Sequence, residues 1–132
     1  MSLPHQPVRL ILDKSTLHAY LAGSVHASEP IHEITEDGVM FGIPAVTAAE
    51  VLAEVDDPFD RQLLMGLLGH PSCQPLQTPG DAWHELAYWR RMTGRADLAV
   101  CALASVEHDA AILTAEAKAY GDHLSIIDLA EM

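Results

Sequence analysis

Short apolar runs that alternate with longer, helix-like segments most strongly constrain what this chain can fold into. The run at 8–12 is branched, apolar and followed by a polar turn, as in a buried strand. Further strands are expected at 43–47, 110–114 and 124–127, with a short one around 74–76. Because parallel strands need crossover connections, which are usually helices, the pattern predicts an α/β protein. We expect a three-layer α/β/α sandwich with a mainly parallel central sheet of four to five strands.

The segments between these runs carry signals for the starts and ends of helices. T-x-x-E before an apolar run is a capping-box pattern, so Thr47 is expected to begin a helix that includes Glu50. Asp81 and Asp97 are expected to open two further helices, the first of which ends at Gly94. Helices are therefore predicted at 15–23, within 30–39, from position 47 onward, at 60–68, at 81–93 and at 97–105.

Length and composition limit the class of protein. A chain of 132 residues, 49 % of them hydrophobic, suits one domain over residues 1–132 with its own core. The sequence has no run of about 18 apolar residues that would predict a membrane span. Its first residues do not resemble a signal peptide, so a cytoplasmic protein is expected. Two separated cysteines and eight dispersed histidines show no spacing typical of a disulfide framework or a zinc site.

The charge of the chain narrows the functions further. Only seven lysines and arginines oppose 19 acidic residues, which gives a formal net charge of −12. This argues against a nonspecific nucleic-acid binder, because affinity for phosphate comes largely from cationic side chains. It permits an enzyme that holds phosphate through metal ions, since part of the negative charge would then be the metal site. An acidic surface also suits a basic protein partner.

Four acidic residues fall where a parallel sheet would gather them. Asp13 follows the first strand, Glu50 lies in the first helical turn after the second, Asp97 opens the buried helix, and Glu116 comes two residues after the strand at 110–114. The site of such a sheet lies beyond the carboxyl ends of its strands. Clustered carboxylates repel one another unless a cation is present, and their oxygens suit Mg²⁺ and Mn²⁺. Such ions activate water and stabilise phosphoryl charge, which points to phosphodiester hydrolysis.

Each of these carboxylates also has a structural interpretation that stays open. Asp13 can cap the helix that follows the first strand, and Glu50 can be the acidic member of the capping box. Asp97 can simply favour the positive end of the helix dipole, and Glu116 can be a solvated loop residue. Capping does not exclude metal binding, because a carboxylate at the start of a helix can do both.

In order and spacing, three segments of the sequence resemble the PIN-domain family, which includes the VapC toxins. They are LILDKSTLHAYL, IPAVTAAEVLAEV and GRADLAVCALASVEHDAAILTAEAKAY, and the resemblance covers nearly the whole chain. The acidic positions of the family are matched by Asp13, Glu50 and Asp97. The family's T-x-D motif is matched by Thr114 and Glu116, so the chain departs from it by carrying Glu where Asp is usual.

The resemblance implies a ribonuclease that depends on Mg²⁺ or Mn²⁺. Asp13, Glu50 and Asp97 would be the main metal ligands, and Glu116 would complete the site or orient the attacking water. Ser15 and Thr114 match polar positions that would orient a carboxylate or a metal-bound water. The resemblance also implies a role as a toxin beside a small antitoxin, and a homodimer.

Three arginines lie just before Asp97 and are candidates for guiding the RNA backbone. They are Arg90, Arg91 and Arg95, and they make up three of only seven cationic residues. The alternative is that they are ordinary cations near the end of the helix predicted at 81–93, where the helix dipole favours positive charge.

Other families and one other function compete with this interpretation. A phosphohydrolase of the haloacid-dehalogenase type would need a second Asp two positions after Asp13, where Ser15 stands. A receiver domain would need an acidic pair near the first strand, but Lys14 follows Asp13. The remaining alternative is a catalytically degenerate PIN-like module that binds a protein partner or RNA without cleaving it.

Overall fold

A sheet of parallel strands forms the centre of the computed structural model, which describes residues 6–129. The strands within this range are β1 (Val8–Leu12), β2 (Met40–Pro44), β3 (Cys73–Leu76), β4 (Ala111–Thr114) and β5 (Ile126–Asp128). Their order is β3-β2-β1-β4-β5, and every neighbouring pair is parallel. The predicted sheet is therefore confirmed, at the upper end of the expected number of strands.

Helices connect the strands and cover both faces of the sheet. Those found in residues 6–129 are α1 (Lys14–Leu21), α2 (Val25–Glu36), α3 (Ala45–Glu54), α4 (Pro58–Leu68), α5 (Trp83–Thr93) and α6 (Ala96–His108), with a 3₁₀ turn at Ala117–Tyr120. Helices α1 to α4 pack on one face and α5 and α6 on the other, which gives the three layers that were predicted. In this range no helix has the length and apolar character needed to cross a bilayer.

The central strand β1 shows how the sequence produces two cores. Side chains alternate between the faces of a strand, so Leu10 and Leu12 join the core under α1 to α4, whereas Ile11 joins the core under α5 and α6. All three side chains are at most 1 % exposed. Burying each one contributes roughly 1.5–3 kcal/mol relative to exposure. An apolar run without polar alternation is what a strand covered on both faces requires.

The strand predicted at 43–47 lies earlier in the chain than expected, and the helix after it also begins earlier. Strand β2 spans Met40–Pro44 because its backbone pairs with β1 on one side and β3 on the other. Pro44 ends the strand with φ −58° and occupies the N-cap position of α3. The capping box predicted at Thr47 is wrong: Thr47 lies inside α3, and its buried hydroxyl faces the Sγ of Cys101 at 3.7 Å.

The other helix boundaries differ from the predictions for local reasons. Helix α2 begins at Val25 rather than within 30–39, and Pro30 lies inside it. Asp81 does not cap α5, because a turn closed by the Ala82 amide and the Pro79 carbonyl places it before the helix. The predicted end of α5 is confirmed, since Gly94 has the left-handed conformation (φ 82°) typical of that position.

Candidate active site

The candidate site lies where β1 and β4 end side by side. The strand order reverses direction at this point, since β2 and β3 lie on one side of β1 and β4 and β5 lie on the other. Leu12 is in register with Leu113, so Asp13 and Thr114 come next to each other at the carboxyl edge of the sheet. This is the topological switch point at which open α/β sheets bind ligands.

Asp13 is buried here and is held by three donors that carry no charge. It is the N-cap of α1, and its Oδ1 accepts hydrogen bonds from the Thr16 amide at 3.0 Å and the Ser15 hydroxyl at 2.7 Å. The hydroxyl of Tyr120 donates to Oδ2 at 2.8 Å. Asp13 is only 1 % exposed. Its position is therefore fixed from three sides, while its negative charge remains for a cation to balance.

Ser15 and Thr114 connect Asp13 to the loop after β4. Their hydroxyl oxygens are 3.2 Å apart. The Ala115 amide donates to the Ser15 hydroxyl at 2.9 Å, and the Glu116 amide donates to the Thr114 hydroxyl at 2.9 Å. These contacts bring the backbone of Glu116 to the end of β1. They are the geometry that an orienting role requires, and the role itself stays a prediction.

Asp97 and Glu116 are joined through Arg95. The guanidinium donates to both oxygens of Asp97, from Nε at 3.0 Å and from Nη2 at 2.8 Å. It also donates to both oxygens of Glu116, from Nη1 at 2.8 Å and from Nη2 at 2.9 Å. Arg95 was predicted to contact RNA, but in this structure its side chain binds two of the predicted metal ligands.

Glu50 is connected to this part of the molecule through Lys14, the residue that follows Asp13. The Lys14 Nζ is 3.6 Å from Oε2 of Glu50 and makes a closer ion pair with Glu54. Glu54 also contacts Nε2 of His18 at 2.9 Å. Glu50 is thus an outer member of the group, in contact with a cation rather than with another predicted ligand.

The charges of these groups follow from their contacts. Hydrogen bonds from Arg95 hold the pKa of Asp97 and the pKa of Glu116 below their ordinary values. The Lys14–Glu54 hydrogen bond likewise lowers the pKa of Glu54 and raises the pKa of Lys14. Burial raises the pKa of the Tyr120 hydroxyl, which keeps it protonated and able to donate to Asp13.

Most of the predicted site residues belong to one network of hydrogen bonds. A continuous path of hydrogen bonds links Asp13, Ser15, Thr114 and Glu116 and continues through Arg95 to Asp97. Two of the predicted RNA contacts, Arg90 and Arg91, are exposed in the last turn of α5.

The candidate donors suit a divalent ion, although in this structure most of their carboxylates are paired with Arg95 and Lys14. The candidate donors are carboxylate and hydroxyl oxygens, which Mg²⁺ and Mn²⁺ prefer. Over residues 6–129, however, no three His, Cys, Asp or Glu side chains are grouped so that they could hold one ion. The contacts explain this, because Arg95 occupies Asp97 and Glu116 while Lys14 lies against Glu50.

Sequence reasoning missed three residues of this neighbourhood. Tyr120 lies in a 3₁₀ turn that no pattern predicted, and its hydroxyl reaches back 107 positions to Asp13. Lys14 was treated only as evidence against a receiver domain. Asp128 ends β5 in register with Thr114 and so lies at the same edge of the sheet. A search for polar residues at the ends of all strands, including the last, would have found Asp128.

The fold and the position of the site define a PIN-like α/β/α protein, as the sequence resemblance implied. Neither a protein-family model nor a curated protein sequence matches the chain. Solved structures do match, and one of them is a toxin–antitoxin complex.

Three of these structures cover nearly all of the chain. A toxin–antitoxin complex from Klebsiella pneumoniae has a TM-score of 0.71 at 13% identity, covering 91% of this chain and 97% of that one. VapBC2 from Rickettsia felis, bound to a DNA fragment from its promoter, has a TM-score of 0.70 at 10% identity and covers 92% and 98%. FitAcB from Neisseria gonorrhoeae has a TM-score of 0.62 at 13% identity and covers 93% and 99%. At such identities the likeness establishes the fold.

Proposed function

We propose that this protein is a Mg²⁺- or Mn²⁺-dependent endoribonuclease and the toxin of a toxin–antitoxin pair. One observation carries the proposal: hydrogen bonds at the switch point of the sheet connect Asp13 with Asp97 and Glu116, which come from remote segments of the chain. The connection runs through the hydroxyls of Ser15 and Thr114, the backbone amide of Glu116 and the guanidinium of Arg95. Burying a carboxylate that has only neutral donors opposes folding, so a role for Asp13 in chemistry is the natural explanation.

The roles of the residues follow from their surroundings. Asp13 would be the central ligand, because its buried carboxylate is oriented by neutral donors and has no cation among these partners. Asp97 would bind from the first turn of α6, with Glu50 and Glu116 contributing from either side. When bound, a divalent ion would lower the pKa of a water molecule and stabilise negative charge on a phosphoryl oxygen.

The substrate we propose is RNA, held mainly through the metal site. The net charge of −12 leaves few cations for the phosphate backbone. Arg90 and Arg91 are exposed in the last turn of α5, a few residues before Asp97, and we propose that they contact the backbone, which positions a nucleic acid without reading its sequence. We further propose that the protein acts in the cytoplasm, where such a substrate is found.

A small antitoxin is the proposed protein partner, since the matching structures include complexes with antitoxins. A largely apolar groove between α1 and α4 would receive it, and Phe59 on this groove is 71 % exposed. The acidic surface favours a basic partner. A short reading frame upstream of the gene should encode a protein that co-purifies with wild type but not with Phe59→Glu. Co-purification with both variants would exclude this groove.

We also propose that the chain forms a homodimer. Helix α5 exposes three large side chains that a second copy would cover: Trp83, Tyr88 and Met92. The mass of the purified protein by light scattering tests this, and a monomer at micromolar concentration would contradict it.

The decisive experiment is an RNA cleavage assay with added Mg²⁺ or Mn²⁺ and with EDTA. We expect cleavage by wild type, none in EDTA, and none by Asp13→Asn. Asp56→Asn is a matched control, because Asp56 is exposed in the turn between α3 and α4. It removes the same charge and should leave cleavage unchanged. Equal cleavage by wild type and Asp13→Asn would contradict the proposal.

One observation favours the degenerate binding module as a second candidate. Arg95 already balances the charges of Asp97 and Glu116, which is what a protein without a metal would need. In that case wild type should not cleave RNA at any Mn²⁺ concentration but should still bind its partner. Cleavage that depends on Mn²⁺ would exclude this candidate.

A further inference from the structure

Arg95 is distinguished by how completely it occupies two of the proposed metal ligands. Four hydrogen bonds between 2.8 and 3.0 Å join its guanidinium to all four carboxylate oxygens of Asp97 and Glu116. Oxygens that accept from a planar guanidinium fork have their lone pairs directed toward it. A metal ion that binds the same oxygens must compete with these hydrogen bonds and with the positive charge of the guanidinium.

The backbone fixes Arg95 in this place. It is the N-cap of α6 in an extended conformation, directly after the left-handed Gly94, and Asp97 follows in the first turn of the helix. The hydroxyl of Thr93 lies 2.7 Å from the Trp89 carbonyl and 3.1 Å from the Arg95 carbonyl, and its single proton is shared between them, which ties the turn to the end of α5. The guanidinium therefore starts within reach of both carboxylates and needs no large movement to bind or release them.

The pairing is also exposed enough to open. The side chain of Arg95 is 48 % exposed and that of Glu116 is 36 % exposed. Ion pairs in contact with water contribute little individually, and a bidentate network contributes somewhat more. A divalent ion carries twice the charge of a guanidinium and can bridge several carboxylates, so it can displace such a cation. Because arginine keeps its charge, it also repels the arriving metal and weakens its binding.

We propose that Arg95 is an internal counter-ion that competes with the divalent metal for Asp97 and Glu116. It balances their charge in the metal-free protein and sets a threshold concentration below which the site stays unloaded. Metal binding releases the guanidinium, which then faces the substrate side of the site. This inference rests on the proposed metal-dependent function and adds a determinant of metal affinity carried by the chain itself.

The test measures Mn²⁺ affinity directly, from the electron paramagnetic resonance signal of free Mn²⁺ in titrations without RNA. Compared with wild type, Arg95→Gln should bind Mn²⁺ roughly five- to tenfold more tightly, the scale set by a partly exposed bidentate ion pair. Arg95→Lys keeps the charge but cannot fork to both carboxylates, so its affinity should fall between the two. Unfolding curves of each variant establish that it is folded.

Arg9→Gln is the matched control for the change in net charge. Arg9 is exposed on β1, toward the start of the strand and away from its carboxyl end. It should change Mn²⁺ affinity by less than about twofold, since distant exposed charges are screened by salt. An equal gain for Arg9→Gln and Arg95→Gln would mean that overall charge is responsible, and it would overturn the inference.

The remaining outcomes separate this inference from the proposed function. If wild type and Arg95→Gln bind Mn²⁺ with the same affinity, or if the variant binds more weakly, the metal site stands and the role of Arg95 is overturned. If neither protein binds Mn²⁺ and neither cleaves RNA, the proposed metal-dependent function fails and the inference fails with it.

Discussion

Asp13 and the Asp97–Glu116 pair are held in place by opposite means. Asp13 is buried and accepts hydrogen bonds from an amide and two hydroxyls. Asp97 and Glu116 are nearer to solvent and are bound by a guanidinium. Neutral donors orient a carboxylate and leave its charge uncancelled, whereas a cation both orients and neutralises it. Under the proposed metal-dependent function, Asp13 would be available to the metal at all times. Asp97 and Glu116 would become available only when Arg95 leaves them.

The largest expected effect is a difference in RNA cleavage between a variant of Asp13 and a variant of Glu116. Asp13→Asn should reduce metal-dependent cleavage to background, because it removes the charge that the neutral donors leave available. Glu116→Gln should lower cleavage by only about tenfold, the scale for groups that support a metal site from its edge. Both are measured as initial rates at saturating Mn²⁺. Asn is as good an N-cap as Asp, so the fold should persist. Equal losses for the two variants would break the comparison.

The next largest effect is expected on the stability of the fold, through the hydrogen bond from Tyr120 to the buried Asp13. Tyr120→Phe removes the hydroxyl that donates to Oδ2 of Asp13, and a buried hydrogen bond to a charged group contributes about 2 kcal/mol. We expect the free energy of unfolding in urea to fall by that amount. Tyr88→Phe removes an equivalent hydroxyl from a side chain that is 52 % exposed, and it should change stability little. Similar values for both variants would show that the Asp13 contact is unimportant.

The ion pairs of Arg95 with Asp97 and Glu116 should make the stability of the fold depend on pH. The pKa values of Asp97 and Glu116 lie below their ordinary values of 3.8 and 4.5 in the folded protein. Groups with lowered pKa stabilise the fold above their unfolded pKa, and this contribution is lost as the pH falls through the folded pKa. Arg95→Gln should therefore be less stable than wild type near pH 6. The difference should shrink below about pH 4.5. A difference that does not depend on pH would contradict this assignment.

The smallest effect is expected at Lys14. Its ion pairs with Glu50 and Glu54 are partly exposed, and solvent screening leaves such pairs only a small contribution to stability. Lys14→Gln should therefore lower the free energy of unfolding only slightly, and the loss should decrease as salt is added. Urea unfolding at low and high salt measures it. A loss that does not depend on salt would indicate packing rather than charge.

The sequence was sufficient wherever local pattern and burial agree. The run at 8–12 is apolar except for Arg9 because β1 is covered on both faces, and Asp13 follows it directly as the N-cap of α1. The Ala-rich helix containing Asp97 was predicted within one residue of its observed start, Ala96. These assignments depend on near neighbours along the chain.

The sequence failed where contacts between remote residues decide the structure. Strand β2 begins at Met40 because it pairs with β1 and β3, and no local pattern reveals that register. The hydrogen bond from Tyr120 to Asp13 and the ion pair from Arg95 to Glu116 join positions 107 and 21 residues apart. The pairing of Arg95 with Asp97 could be predicted from their closeness in the sequence, but the pairing of Arg95 with Glu116 could not.

The turn that carries Arg95 has a kinetic consequence. The Thr93 hydroxyl and Gly94 anchor its backbone, so the guanidinium can leave the carboxylates by rotating its own side-chain bonds. Rotations of exposed side chains take picoseconds to nanoseconds, far less than loop or domain motions. Mn²⁺ should therefore associate in one fast phase of a stopped-flow experiment, with no lag from a conformational step. In this protein, cofactor supply rather than protein motion would set when the enzyme becomes active.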